Sequence, residues 1–173
     1  MSRDVKLFIG RRIITSVLLV IFFNIFYATN AFGDVEDAVE DYTINIQSSD
    51  EEELVLKLIN AERKKQGLFE LKFDSRLMQL AALKTNDMQE ENYVSDNSDK
   101  YGKIFNMLEV NDIEYKIAGE NIARNKNAEL AVKAWMNSKT HRENILEERY
   151  EYTGISVVKD KEYGYLFVQV FMD

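Results

Sequence analysis

Residues 118–146, AGENIARNKNAELAVKAWMNSKTHRENIL, gather the side chains of this chain that could do chemistry. They include the only histidine, His141, the only tryptophan, Trp135, and Glu120, a carboxylate set between a glycine and an asparagine. An imidazole and a carboxylate can share a proton, so Glu120 would fix the tautomer of His141 and the pair would serve as general acid and base. The structural alternative is a hydrogen bond between them that spans a cleft and does no chemistry. Ser138, three residues before His141, completes a nominal Ser–His–Glu set. No glycines of a nucleophile elbow surround that serine, so it reads better as a helix terminator or N-cap. The sequence has no cysteine, which removes thiol nucleophiles and disulfides.

The elements that must position these groups are legible from periodicity and caps. Ser49 and Glu52 form a capping box that starts a helix near Asp50. Leu54, Leu58 and Ala61 line one face of it with Val55 and Ile59, and Gly67 suits the C′ position. Asp74 caps a second helix whose Leu77, Ala81 and Met88 share a face, running out near Asn92. Residues 92–102 are loop by composition, and a short helix carrying Ile104, Phe105, Met107 and Leu108 follows. Alternating Ile113, Tyr115 and Ile117 predict a strand leading into Gly119.

Residues 128–137 place Leu130, Ala131, Ala134 and Trp135 at helical spacing, a core face that needs no ligand to explain it. Thr140 and Glu143 suggest a second capping box, with His141 in the first helical turn. The positive end of that helix dipole disfavours imidazolium, whereas a nearby carboxylate favours it. Asn121 and Asn144 read as amides that tie loops to neighbouring backbone. Residues 152–159 and 163–172 are strands joined by a tight DKE turn. Tyr163, Tyr165, Phe167 and Phe171 fill one face of the last strand and Leu166, Val168 and Val170 the other, so it is covered on both sides. Helices first and strands late, with one strand between, indicate an α+β domain with helices packed on an antiparallel sheet.

At 173 residues, 46% hydrophobic and 12% aromatic, the chain has enough apolar mass for one cored domain. Residues 1–33 read as a signal peptide or an N-terminal membrane anchor. Arg3, Lys6, Arg11 and Arg12 precede an apolar run from Ile13 to Ala28, with Ala31 or Gly33 as cleavage points. That run is short against the ~20 residues of a comfortable membrane span. Residues 34–50 form an acidic linker. Without residues 1–33 the chain keeps 18 basic and 29 acidic side chains, a net charge near −11. Such a surface repels nucleic acid phosphates and anionic headgroups. An exported chain without cysteine fits a Gram-positive type cell exterior better than an animal secretion.

The GEN of residues 119–121 followed by WMNSKTHRENI at residues 135–145 resembles the CAP superfamily (cysteine-rich secretory proteins, antigen 5 and pathogenesis-related 1 proteins; SCP-like), in its bacterial, cysteine-free extracellular form. The resemblance covers residues 51–173 and includes LINAERKKQG at residues 58–67. It implies a three-layer α-β-α sandwich around a central antiparallel sheet. It also implies a cleft lined by two histidines and two acids, which in several members hold a divalent metal. Glu120 matches the acid of the first motif and His141 the histidine of the second. The loop YVSDNSDKYG at residues 93–102 resembles a bacterial YFSHTSPKYG, so Asp96 stands where a histidine is expected, and Ser138 stands in place of the second acid.

The cleft implied is therefore Asp96, Glu120, Ser138 and His141. A metal held by Asp96, Glu120 and His141 would see one nitrogen and several anionic oxygens, a set that holds zinc weakly and takes calcium, magnesium or manganese about as well. The alternative is a cleft that has lost its metal. The role expected is an exported binding module at the cell envelope. Its partner would be an envelope component, a lipid or an extracellular protein. No nucleic acid is expected, and the membrane is reached only through an uncleaved N-terminal segment. The competing roles are a hydrolase, metal-assisted or not, that uses the Glu120–His141 pair, and a lipid or sterol carrier.

Overall fold

Two polar caps set the two long helices of the computed structural model, which describes residues 48–173; the expected signal or anchor and residues 34–47 of the linker lie outside the described residues. The Ser49 hydroxyl accepts from the Glu52 amide and the Glu52 carboxylate accepts from the Ser49 amide, which starts α1 (Asp50–Lys65). Gly67, at φ +73°, stands just beyond its end. After the two-residue β1 (Lys72–Phe73), the Asp74 carboxylate accepts from the amides of Arg76 and Leu77 and starts α2 (Ser75–Glu90). Then follow α3 (Ile104–Val110), β2 (Ala118–Asn125), α4 (Ala128–Asn137), α5 (Lys139–Ile145), β3 (Tyr152–Asp160) and β4 (Gly164–Met172).

The strands form one sheet in the order β1-β3-β4-β2. β4 pairs antiparallel with both β3 and β2, as an antiparallel sheet requires. β1 departs from that expectation and pairs parallel with β3, through Lys72–Tyr152 and Phe73–Thr153. Alternation along β4 feeds two cores. Phe167 and Phe171 pack with Val55, Ile59, Trp135 and Ile145 from α1, α4 and α5. Leu166, Val168, Val170 and Met172 pack with Leu77, Leu80, Met88 and Leu108 from α2 and α3. The result is the three-layer α-β-α sandwich. Each fully buried large apolar side chain contributes about 1.5–3 kcal/mol.

Close approach in both layers depends on a missing side chain or a buried cation. A Cβ on Gly154 of β3 would lie 2.0 Å from the Leu77 carbonyl carbon, so this glycine is what lets the α2 backbone rest against the sheet. In the other layer Arg63, fully buried on the core face of α1, donates to four carbonyls. They belong to Phe69 (2.8 Å), Ile145 (2.9 Å), Glu147 (2.8 Å) and Tyr150 (3.0 Å). The guanidinium thereby joins α1 to the end of α5 and to the chain entering β3.

Four local expectations differ from the structure. Ile113, Tyr115 and Ile117 do not form a strand, because the Asp173 carboxylate takes the amides of Lys116 (2.8 Å) and Ile117 (3.0 Å) and pairing with β4 begins only at Ala118. Thr140 is not a cap: Ser138 already holds the N-cap position, with the Arg142 amide on its carbonyl at 2.9 Å, so Thr140 lies inside α5. Ala61, Leu130 and Ala134 are on solvent faces, while Arg63 and Val132 take the buried positions. Tyr163 sits in the β3–β4 turn and is exposed.

Candidate functional site

The three residues of the GEN motif do three different jobs, set by strand alternation in β2. Ala118 and Ile122 face the α2–α3 layer and Ala123 faces the α1–α4–α5 layer. Gly119 faces α5: a Cβ there would come 2.6 Å from the Tyr150 hydroxyl and 3.1 Å from Asn144 Oδ1. Asn121 faces the same way, is fully buried, and its Nδ2 donates to the His141 carbonyl at 3.1 Å. Asn144 Nδ2 donates to the Glu120 carbonyl (2.9 Å) and to Asn121 Oδ1 (3.0 Å), and Trp135 Nε1 donates to the Ile122 carbonyl (3.1 Å). Side chains of α4 and α5 thus take carbonyls along an edge strand, which also blocks the edge to further pairing. Asn121 and Asn144 have the structural role expected of them.

Glu120 faces the opposite layer. Its carboxylate is 7% exposed, and Oε1 lies 3.7 Å from Nζ of Lys84 on α2, whose side chain is 0% exposed. That is an ion pair beyond hydrogen-bonding distance, and Oε1 has no hydrogen-bond partner. The same ammonium donates to the backbone carbonyls of Asp96 (2.5 Å) and Gly102 (3.3 Å). Burial pushes the Glu120 carboxyl up to about 7; Lys84 opposes that shift and the Asp96 carboxylate adds to it. Burial lowers the pKa of His141, so at neutral pH its imidazole is uncharged.

The site therefore differs from the expected one. No hydrogen bond or ion pair joins the side chains of Glu120 and His141 among the described residues; the charged partner of Glu120 is Lys84. The expected acid–base pair is not assembled, because β2 sends Glu120 to α2 and gives Asn121 to α5. Asp96 contributes its carbonyl, while its carboxylate is 71% exposed and 4.0 Å from Lys103 Nζ. Ser138 is the hinge between α4 and α5, and its hydroxyl makes no cap hydrogen bond. Among the described residues no three acidic or imidazole side chains gather closely enough to hold a metal ion. A divalent cation on Glu120 would meet the Lys84 ammonium, so the residues present do not fit a metal shared by Asp96, Glu120 and His141.

Lys84 is the site residue that the sequence reading missed. A signal was there: Lys84 stands seven residues after Leu77 and three after Ala81, on the buried stripe of α2. Two neighbours share that unusual burial. Thr85 Oγ1 lies 2.7 Å from Ser156 Oγ of β3, and Asp87 accepts from the Tyr93 hydroxyl at the start of the 93–102 loop. Beside that loop lies a recess of about 390 Å³ lined by Asp87, Glu91, Tyr93, Asn97, Asp99 and Lys100.

Comparison with known proteins agrees with this architecture. The profile of the cysteine-rich secretory protein family, CAP, matches residues 56–171. The uncharacterized protein YkwD of Bacillus subtilis (strain 168) is 44% identical over 122 residues, which are 70% of this chain and 46% of that protein. The crystal structure of an extracellular protein containing a SCP domain from Bacillus anthracis is similar with a TM-score of 0.65 at 28% identity, over 70% of this chain and 40% of the other. The chain thus spans less than half the length of these two relatives. An outer surface protein from Borrelia burgdorferi has a TM-score of 0.67 at 20% identity, over 74% of this chain and 96% of its own, a likeness of fold alone. With the family profile matching most of its length, this cysteine-free chain belongs to the cysteine-rich secretory protein (CAP) family.

Proposed function

We propose that this chain is a binding module that works outside the cell membrane, at the cell envelope. One observation carries the reading: the carboxylate of the family motif faces a buried internal cation, Lys84, instead of the histidine with which it would do acid–base work. Open to a ligand beside this ion pair is the surface of the 93–102 loop and its recess, where Asp87, Glu91 and Asp99 face one lysine. That lining suits a ligand bearing amino and hydroxyl groups and disfavours a phosphate. The relative from Bacillus anthracis is described as extracellular. Among the described residues no helix is long and apolar enough to cross a membrane.

Cosedimentation of the full chain with purified Gram-positive cell walls tests the proposal. Saturable, salt-sensitive binding that a Glu91→Lys, Asp99→Lys double variant weakens by about tenfold, the loss of ~1.4 kcal/mol, is expected. No soluble wall fragments should appear. Release of fragments that disappears in Glu120→Gln would replace this reading with the hydrolase. A specific feature keeps that second reading in view, since a carboxyl held near pKa 7 is tuned for a general base at neutral pH.

A further inference from the structure

We propose that Lys84 is a tethered cation that latches the 96–102 loop onto the sheet, doing from within the fold what a bound hard metal ion does in an oxygen cage. The cage is made of oxygens alone: the Asp96 carbonyl at 2.5 Å, the Gly102 carbonyl at 3.3 Å and Glu120 Oε1 at 3.7 Å. Of the three N–H donors of the ammonium, the two carbonyls take hydrogen bonds, and the Glu120 carboxylate stands beyond hydrogen-bonding distance as the countercharge. A calcium ion wants six to eight oxygens at 2.3–2.6 Å, which this cage does not supply.

The geometry of the loop fits a latch. Ser98 and Gly102 exchange two backbone hydrogen bonds, of 3.0 and 2.8 Å, and close the loop into a small ring. The Ser98 hydroxyl accepts from the amides of Lys100 (3.0 Å) and Tyr101 (2.9 Å) inside it. Gly102 closes this ring and Asp96 lies two residues ahead of it, and one ammonium holds both carbonyls. Glu120, from the far side of the sheet–helix interface, supplies the countercharge without which a fully buried ammonium is strongly unfavourable. Lys84 is thus a positioning residue for the rim of the recess. This inference does not depend on which ligand the recess takes.

Amide hydrogen–deuterium exchange on the full chain tests it without any ligand. In the unmodified protein, protection of residues 96–102 should be the same with a chelator, with calcium and with manganese. Lys84→Ala should speed exchange of those residues by about tenfold or more, the loss of at least one charge-assisted hydrogen bond, while β3 and β4 stay protected. Adding propylammonium to Lys84→Ala should restore loop protection by returning a cation to the cage. Unchanged exchange in Lys84→Ala, loss of wild-type protection on chelation, or an opened loop that propylammonium does not restore would each overturn the proposal. Should Lys84→Ala fail to fold, Glu120→Gln, compared with the wild type above about pH 7 where the carboxyl is charged, keeps the ammonium and removes its countercharge. Faster exchange at residues 96–102 is then expected, and unchanged exchange refutes the latch.

Discussion

Replacing Glu120 by glutamine should change how stability depends on pH more than it changes stability itself. The carboxyl is raised from 4.5 to about 7, chiefly by burial. That rise corresponds to a stability difference on the order of 3 kcal/mol. The folded state holds the proton more tightly than the unfolded chain. Its contribution is therefore fully present below about pH 4.5 and is lost as pH rises through about 7. His141 works in the opposite direction: its lowered pKa makes the folded protein lose stability as pH falls below the ordinary histidine value. A wild-type profile alone would mix the two slopes.

The difference between wild type and Glu120→Gln isolates the carboxyl. Urea titrations at steps from about pH 5 to about pH 8 should show the variant gaining on the wild type by up to ~3 kcal/mol as pH rises. The absolute offset at low pH carries less information, because the protonated carboxyl of the wild type and the amide of the variant both leave Lys84 beside a neutral partner. Parallel profiles across this window would refute the reasoning. They would mean that Glu120 titrates as an ordinary, solvated carboxylate.

Three further outcomes follow from the packing. Arg63→Met keeps the bulk of the side chain but takes a donor from each of four carbonyls; it should cost about 3–5 kcal/mol, and a loss under ~1 kcal/mol by urea titration would deny the guanidinium its joining role. Gly154→Ala puts a methyl 2.0 Å from the Leu77 backbone. Overpacking against backbone should cost ~3 kcal/mol or prevent folding, and a change under ~0.5 kcal/mol in thermal unfolding would contradict the close approach. The His141 imidazole, followed by NMR through a pH titration, should show a midpoint below the ordinary value of about 6.5 and no site-saturable response to zinc. A midpoint above 7 would mean that a carboxylate reaches the ring after all.

How far the sequence carried this reading depended on whether the signal was local. Ser49, Asp74 and Gly67 marked helix ends because caps act within a turn, and alternation in Tyr165–Phe171 marked a strand buried on both faces because pleating acts within two residues. Thr140 failed as a cap for a local reason, the Ser138 two residues before it, but the larger failures are long-range. Asp173 ends the 113–117 segment from 56 residues away, so alternation there counted for nothing. The site followed the same rule. Residue types and the family motifs suggested a Glu120–His141 pair, but a period of two in β2 turns adjacent residues to opposite layers, and that divided the motif between Lys84 on one side and Asn144 on the other. A lysine on an otherwise apolar stripe breaks the local rule for α2, and such a break is kept only where something distant compensates. Here the compensation is two carbonyls of a loop and one carboxylate of an edge strand. A charged residue at a core position is therefore the place where a local reading should stop and ask what the charge holds.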